Sequence, residues 1–457
     1  MDFILNALSY ILPILGAIML LVFVHELGHF LFAKLFKMRV ERFSIGFPPK
    51  IVGKKIGETE YVIGATPLGG YVKIAGMVDE SMDTGYAESE PQPWEFRAKP
   101  VWQRIVVITA GVIFNMILAA VIFIGLKDVY GERFVPPLGP VVVADSSLAY
   151  DIGLRTGDRL LAINGKEVSD FTGLEGLQEM LADPLKLTVV RGRDTLTFEG
   201  PRDIMTQLSR SGGAFGIAFD PPVVGATVEG SPAEQVGLLP GDRILAINGE
   251  PIRFWRDMTE KIQATGGEPF TLRWERPDSL ADRPPPPAAQ WVGSGTYGRV
   301  YEALVTPRKE GDRYVLGVYQ ITRFVDYDFG EAVAAGLKDT WLNTKIIVTS
   351  LKRVFFGSES IRENLGGPIR VAVLTRDAAA NGAYAFWNIV AVLSITLAII
   401  NILPIPALDG GHLVFLIYEG ITRREPSLKV RMVTQQIGMV LLLALMTFLI
   451  FNDLLRL

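Results

Sequence analysis

The sequence predicts a polytopic α-helical membrane protein, with four transmembrane helices, membrane-associated β-hairpins and two small α+β domains in tandem. Three observations carry this prediction. There are four long apolar runs; a His-Glu-x-x-His pattern lies inside the first of them; and one glycine-rich segment occurs twice, at residues 153 and 237, 84 apart. The 457 residues are 49% hydrophobic, with a mean hydropathy of +0.30. That is too apolar for a wholly soluble chain, while a charged fraction of 21% requires a globular portion beside the spans. A net charge of −4 offers no basic face for nucleic acid. The chain has no cysteine, which excludes disulfides and thiolate metal sites. Three histidines, His25, His29 and His412, are the whole supply of imidazole.

Residues 3–36 are apolar apart from the motif and a few small or weakly polar positions, long enough to cross about 30 Å of hydrocarbon. Met1-Asp2-Phe3 lacks the basic n-region of a secretory signal, and no small-residue cleavage site breaks the run, so it reads as an uncleaved first span. On a helix, His25 and His29 point from one face and bring two imidazole nitrogens to one zinc ion. Glu26 lies beside them, where a carboxylate takes a proton from the attacking water. The alternative, polar residues that only pack helices, is disfavoured because ionisable groups are costly in a bilayer core. Lys34, Lys37, Arg39 and Arg42 follow, and the positive-inside rule places this end in the cytosol.

Between residues 40 and 77 the pattern changes to β-prone runs, Glu60-Tyr61-Val62-Ile63 and Gly70-Tyr71-Val72-Lys73-Ile74, which predict hairpins. An edge strand there, at Gly70 and Tyr71, is placed to pair with an unfolded substrate backbone, or simply packs. Residues 79–93 form an acidic loop. Arg97, Lys99 and Arg104 precede a second span, residues 105–126, in which Gly111 and Asn115 share one face. A small residue and an amide at that spacing allow close helix approach and a hydrogen bond to a neighbour or substrate.

Residues 139–324 read as soluble. Gly153-Leu154-Arg155-Thr156-Gly157-Asp158 leads to Ile163-Asn164-Gly165, and the pattern recurs from Gly237 through Gly241-Asp242 to Ile247-Asn248-Gly249. Each copy predicts a tight turn, a buried strand and an Asn-Gly hairpin turn. This resembles the PDZ domain, although neither copy shows a clear carboxylate-binding loop. Gly293 to Val300 fits a kinase-like glycine-rich loop, but no catalytic-loop motif follows, so no nucleotide partner is expected. Residues 283–287 read as a stiff proline-rich surface loop. Residues 329–356 carry apolar and basic side chains at helical spacing, for the outer membrane surface or for packing on the second repeat.

A third span, residues 386–418, contains Asn401-Ile402-Leu403-Pro404-Ile405-Pro406-Ala407-Leu408-Asp409-Gly410-Gly411-His412. Prolines and glycines interrupt an apolar helix there, and irregular backbone at membrane depth requires protein or water to satisfy it. Asp409 beside the break is a natural third zinc ligand. Arg423, Arg424, Lys429 and Arg431 make this end cytosolic as well, and residues 433–451 form a fourth span. The expected divisions are 1–36, 37–100, 101–127, 138–222, 223–324, 325–385, 386–418 and 432–452.

With His-Glu-Leu-Gly-His in the first span, Asn-x-x-Pro-x-Pro-x-x-Asp-Gly-Gly in the third and tandem PDZ-like repeats between, the chain resembles the site-2 protease family of intramembrane zinc metalloproteases. The resemblance covers nearly the whole chain. It implies a Zn²⁺ cofactor held by His25, His29 and Asp409, with Glu26 as general base. Asn401 would bind substrate, Gly111-x-x-x-Asn115 matches the family's second-span motif, and the hairpins with Gly70 and Tyr71 would hold the substrate extended. One departure is Pro48, where the family pattern has glycine after Phe47.

The implied partner is a single-pass membrane substrate of the anti-sigma factor type, or a remnant signal peptide, cut in the bacterial inner membrane after a prior outer-side cut. Membrane lipid is the other implied partner. Two alternatives differ in kind. A membrane quality-control metalloprotease takes Glu as its third ligand, and a PDZ scaffold or zinc carrier has no use for Glu26. The role of His412 is open between supporting a ligand and plain packing.

Overall fold

The computed structural model describes residues 2–77, 90–134, 140–167, 173–211, 215–280, 282–283, 288–311 and 313–455. Residues 79–89 of the expected acidic loop and 284–287 of the proline run lie outside them. The chain divides into two compact units: Met1–Gly131 with Asp326–Leu457, and Glu132–Val325.

The first unit is built on helices α1 (Asp2–Leu35), α2 (Val101–Tyr130), α3 (Phe329–Phe356), α4 (Pro368–Ala380), α5 (Ala383–Ile402), α6 (Asp409–Thr422) and α7 (Leu428–Leu454). Four are long and apolar enough to cross a membrane: Leu12–Leu35 of α1, α2, α5 and α7. Their outer faces carry large apolar side chains such as Ile117, Val121, Val440 and Leu441, the surface that lipid tails require. Buried Ala119, Phe123, Ala391 and Ile395 join α2 to α5. Leu21 of α1 packs with Val390 of α5.

The expected third span of residues 386–418 is two helices. Pro404 and Pro406 supply no backbone N–H, so α5 cannot continue, and residues 403–408 form a turn that bonds to itself. The Ile405 N–H donates to the Leu403 carbonyl at 2.7 Å and the Leu408 N–H to the Ile405 carbonyl at 3.2 Å. Helix α6 then restarts with Asp409 as its first residue. Helix α3 occupies the residues expected to be amphipathic, opened by a reciprocal cap between Asp328 and Glu331. It packs on α2, where Lys127 and Asp339 pair at 3.1 Å.

Strands β1 (Val40–Ile56) and β2 (Thr59–Ile74) form the predicted hairpin, bent back on itself. Val40–Ile45 lies against Gly70–Ile74, and Arg42–Ile45 also meets Glu60–Ile63. The segment Gly70–Ile74 is therefore an outer row of this small sheet. Phe43 seats the sheet on α1 through edge-on contacts with Phe23 and Phe30.

The second unit contains the duplication. In the first copy Val141–Val143 pairs with Ile217–Phe219, and Arg159–Ile163, Lys186–Arg191 and Asp194–Glu199 form a second sheet. In the second copy Val224–Thr227 pairs with Val318–Gln320, beside a five-stranded sheet that includes Arg243–Ile247 and Phe270–Pro277. Both Asn-Gly turns form: Asn164 and Asn248 have φ of 51°, with Gly165 and Gly249 also positive, the backbone that a tight right-twisting hairpin needs. The kinase-like glycine segment is a hairpin between Gln290–Ser294 and Gly298–Val305. The buried Glu275 carboxylate accepts from the N–H groups of Tyr297 and Gly298, at 2.5 and 3.1 Å. A carboxylate thus holds two of the backbone amides of this glycine-rich turn.

Candidate metal centre

Three elements of the first unit converge on one point. Helix α1 contributes His25 and His29 one turn apart, α2 crosses beneath them, and α6 brings Asp409 at its first residue. Close crossing depends on two glycines. A Cβ on Gly28 would stand 2.5 Å from the Ala110 carbonyl oxygen, and one on Gly111 would stand 2.5 Å from His29 Nε2 and 2.7 Å from His25 Cε1. No side chain fits at either place, so α2 presents a bare patch on which both imidazoles lie.

The three sequence-expected ligands come together. His25 Nε2 and His29 Nε2 are 3.2 Å apart, and Asp409 Oδ2 lies 3.2 Å from the first and 3.4 Å from the second. Four ligands held tetrahedrally about 2.0–2.1 Å from a zinc ion stand about 3.4 Å from one another, so this triangle has the size that such a site demands. The chemistry of the donors fits as well. The His29 Nδ1–H donates to the Val107 carbonyl at 2.8 Å, which leaves the Nε2 lone pair facing inward. Asp409 Oδ2 is buried without a hydrogen-bond partner. Two imidazole nitrogens and a carboxylate oxygen within 3.4 Å of one another are the donor set that zinc takes. Among the described residues, these three are the only group of His, Asp and Glu side chains placed to hold a metal.

Beside the triangle is a cavity of about 610 Å³, lined by Glu26, Gly70, Tyr71, Asn401 and His412 among others. Gly70 and Tyr71 begin the outer row of the hairpin sheet. Asn401, at the end of α5, has its amide nitrogen 3.4 Å from His25 Nε2. The sequence sets Asn115 against a neighbour or substrate. It is fully buried and meets Nδ1 of His25 at 3.3 Å, behind the imidazole rather than on the cavity wall. Sequence reasoning missed the Val107 carbonyl, because a backbone acceptor leaves no mark in residue type. It also missed Arg42 and Phe47 as lining residues, although Arg42 was visible as a basic residue. Arg42 bonds the Tyr71 hydroxyl at 3.2 Å, and Phe47 stacks on the Tyr71 ring, the planes 5° apart.

Peptidase family M50 matches residues 13–445 of the chain. The chain belongs to this family, that of the site-2 proteases. Among similar proteins is the regulator of sigma E protease of Haemophilus influenzae, 31% identical over 96% of this chain and 97% of its own. The Escherichia coli regulator of sigma-E protease RseP is also 31% identical, with the same coverage. A Neisseria meningitidis protein named as a zinc metalloprotease is 30% identical over 98% of this chain and 99% of its own. This M50 peptidase is therefore a zinc metalloprotease with membrane helices, as the sequence predicts.

Proposed function

We propose that the chain cleaves single-pass membrane proteins within the bilayer, with His25, His29 and Asp409 holding the zinc and Glu26 acting as general base. The observation that carries this is the ligand-sized triangle of three side chains, set beside a cavity between apolar helices. The metal, when bound, supplies a Lewis acid that polarises the scissile carbonyl. Glu26, on the cavity wall, takes the proton of the attacking water and passes it to the leaving amine. The outer row Gly70–Ile74 pairs with an extended substrate backbone, Tyr71 fixed by Arg42 shapes the wall, and Asn401 binds the peptide near the scissile bond. A transmembrane substrate helix has to unwind to enter, because only an extended chain presents its carbonyls to such a site.

The names of the relatives support a substrate of the anti-sigma factor type, and remnant signal peptides share the same single-span form. The basic residues after α1, before α2 and after α6 support placement in a bacterial inner membrane with the metal site toward the cytosol. On that topology the duplicated unit, whose copies we read as PDZ-like, is periplasmic and limits the size of substrates that enter.

The test uses the full-length protein in detergent or bilayer. Zinc content and cleavage of a tagged single-pass substrate are measured for wild type and Glu26→Gln. Retained zinc with cleavage abolished is expected. Cleavage near the wild-type rate removes Glu26 from the mechanism.

A further inference from the structure

Two residues of α1 and three of α2 form a matched set. His25 and His29 are four apart on one helix, and Val107, Gly111 and Asn115 are four apart on the other, so each series lies along a single face. The helices run in opposite directions here, His29 over Val107 and His25 over Asn115. Gly111 lies between, leaving room for both rings. The His29 end is settled: Nδ1–H donates to the Val107 carbonyl at 2.8 Å, and Nε2 faces Asp409.

The His25 end poses a problem of proton count. A neutral imidazole has one N–H and one lone pair. Yet His25 has the amide nitrogen of Asn115 3.3 Å from Nδ1 and that of Asn401 3.4 Å from Nε2, so two amide donors face one acceptor. At the same time Asn115 Oδ1 is buried with no hydrogen-bond partner, on a residue with no exposed surface. A half-turn of the Asn115 amide exchanges Oδ1 and Nδ2, which removes one of the two donors from His25 and gives the oxygen a donor, while Nδ2 takes the place that Oδ1 leaves. The orphaned oxygen then accepts the His25 Nδ1–H, and the Nε2 lone pair turns inward as it does in His29. The backbone at this position is held in place, because the Asn115 carbonyl accepts from the Ser394 hydroxyl of α5 at 2.7 Å.

We infer that Asn115 is a positioning residue: its side-chain oxygen accepts the Nδ1–H of His25 and thereby selects the tautomer whose Nε2 can ligate zinc. The inference rests on the reading of His25 as a ligand. A single stripe of α2 thus serves both histidines, with a backbone carbonyl for one, a side-chain amide for the other and empty space between.

The experiment measures zinc affinity of the full-length protein by competition with a chelator, for wild type, Asn115→Leu, Asn115→Asp and His25→Ala. Asn115→Leu keeps the volume and loses the acceptor, and its zinc affinity is expected to fall by about 10- to 100-fold, the usual effect of losing such a partner. Asn115→Asp keeps an oxygen at the same atom and is expected to bind zinc within a few-fold of wild type or more tightly. A purely structural role gives the opposite order, since Leu is tolerated among apolar helices and a buried carboxylate is not. Wild-type affinity in Asn115→Leu, or equal losses in Leu and Asp, overturns the inference. His25→Ala separates the two levels: if it keeps wild-type zinc affinity, the ligand assignment fails; if it loses zinc while Asn115→Leu does not, only the role of Asn115 fails.

Discussion

The α-carbon of Gly111 faces the imidazole of His29 so closely that an added Cβ would stand 2.5 Å from Nε2. Gly111→Ala is therefore expected to displace both rings and lower zinc affinity at least tenfold. Alanine favours helix over glycine by up to ~1 kcal/mol, so helix content measured by circular dichroism should hold or rise. Unchanged metal affinity in this variant would show that the rings do not lie where the structure puts them.

Asp409→Asn replaces the carboxylate proposed as the third ligand by a neutral amide of the same shape. Weaker zinc binding and reduced cleavage are expected, because a carboxylate is the better partner for a dication. Metal content and activity both at wild-type levels would assign the third ligand to another residue.

The duplicated unit begins and ends on paired strands: Glu132–Phe134 lies antiparallel to Arg323–Val325, with Glu132 opposite Val325. A short glycine-serine linker between residues 131 and 326 can thus replace it. The shortened enzyme is expected to retain zinc and to cut full-length substrates that bear a bulky outer domain. Loss of cleavage even for a pre-trimmed substrate, with zinc retained, would make this unit a capture device rather than a size filter.

Two arginine–aspartate pairs predict different stabilities for the two copies. Arg276 and Asp242 pair at 2.7 Å with side chains 1% and 0% exposed, whereas Arg191, which pairs with Asp158, is 39% exposed. Asp242→Ala strands a buried guanidinium and should cost about 3–5 kcal/mol; Asp158→Ala should cost less. Burial raises the Asp158 carboxyl, but hydrogen bonds from Arg191 and the Arg155 N–H outweigh it and hold the group below its ordinary value. Its contribution is then present above the unfolded value of about 3.9 and is lost as pH falls through the lower folded one. Hydrogen exchange of residues 141–219 should show Asp158→Asn less protected than wild type near neutral pH, with the difference closing in acid. A difference independent of pH would mean that charge plays no part.

How much of this was legible in residue types follows from what kind of atom does the work. The zinc motif was visible because it needs particular side chains at helical spacing in a place hostile to charge. Asp409 was visible because two prolines announced the break beside it. Asn115 was noticed, yet its direction was not, since a uniformly apolar span shows no preferred face and only packing decides which neighbour an amide meets. The Val107 carbonyl was illegible, being backbone. In the second unit the Asn-Gly turns form as expected, because φ above zero restricts which residues can stand there. The arginines that reach Asp158 and Asp242 come from strands far along the chain, where nothing local marks them.

Those two arginines occupy equivalent places in the two copies. Arg191 bonds Asp158 with Nε and Nη2 and the Gly153 carbonyl with Nη2. Arg276 does the same with Asp242 and the Gly237 carbonyl. A buried ion pair is one of several ways to fill such a space, and apolar side chains often fill it at no loss of stability. The shared wiring ties the Gly-Asp turn of each copy to a strand about thirty residues further on, so the two copies are closed by the same bond set. Their exposure differs, 39% for Arg191 against 1% for Arg276, so the same bonds are wet in one copy and dry in the other.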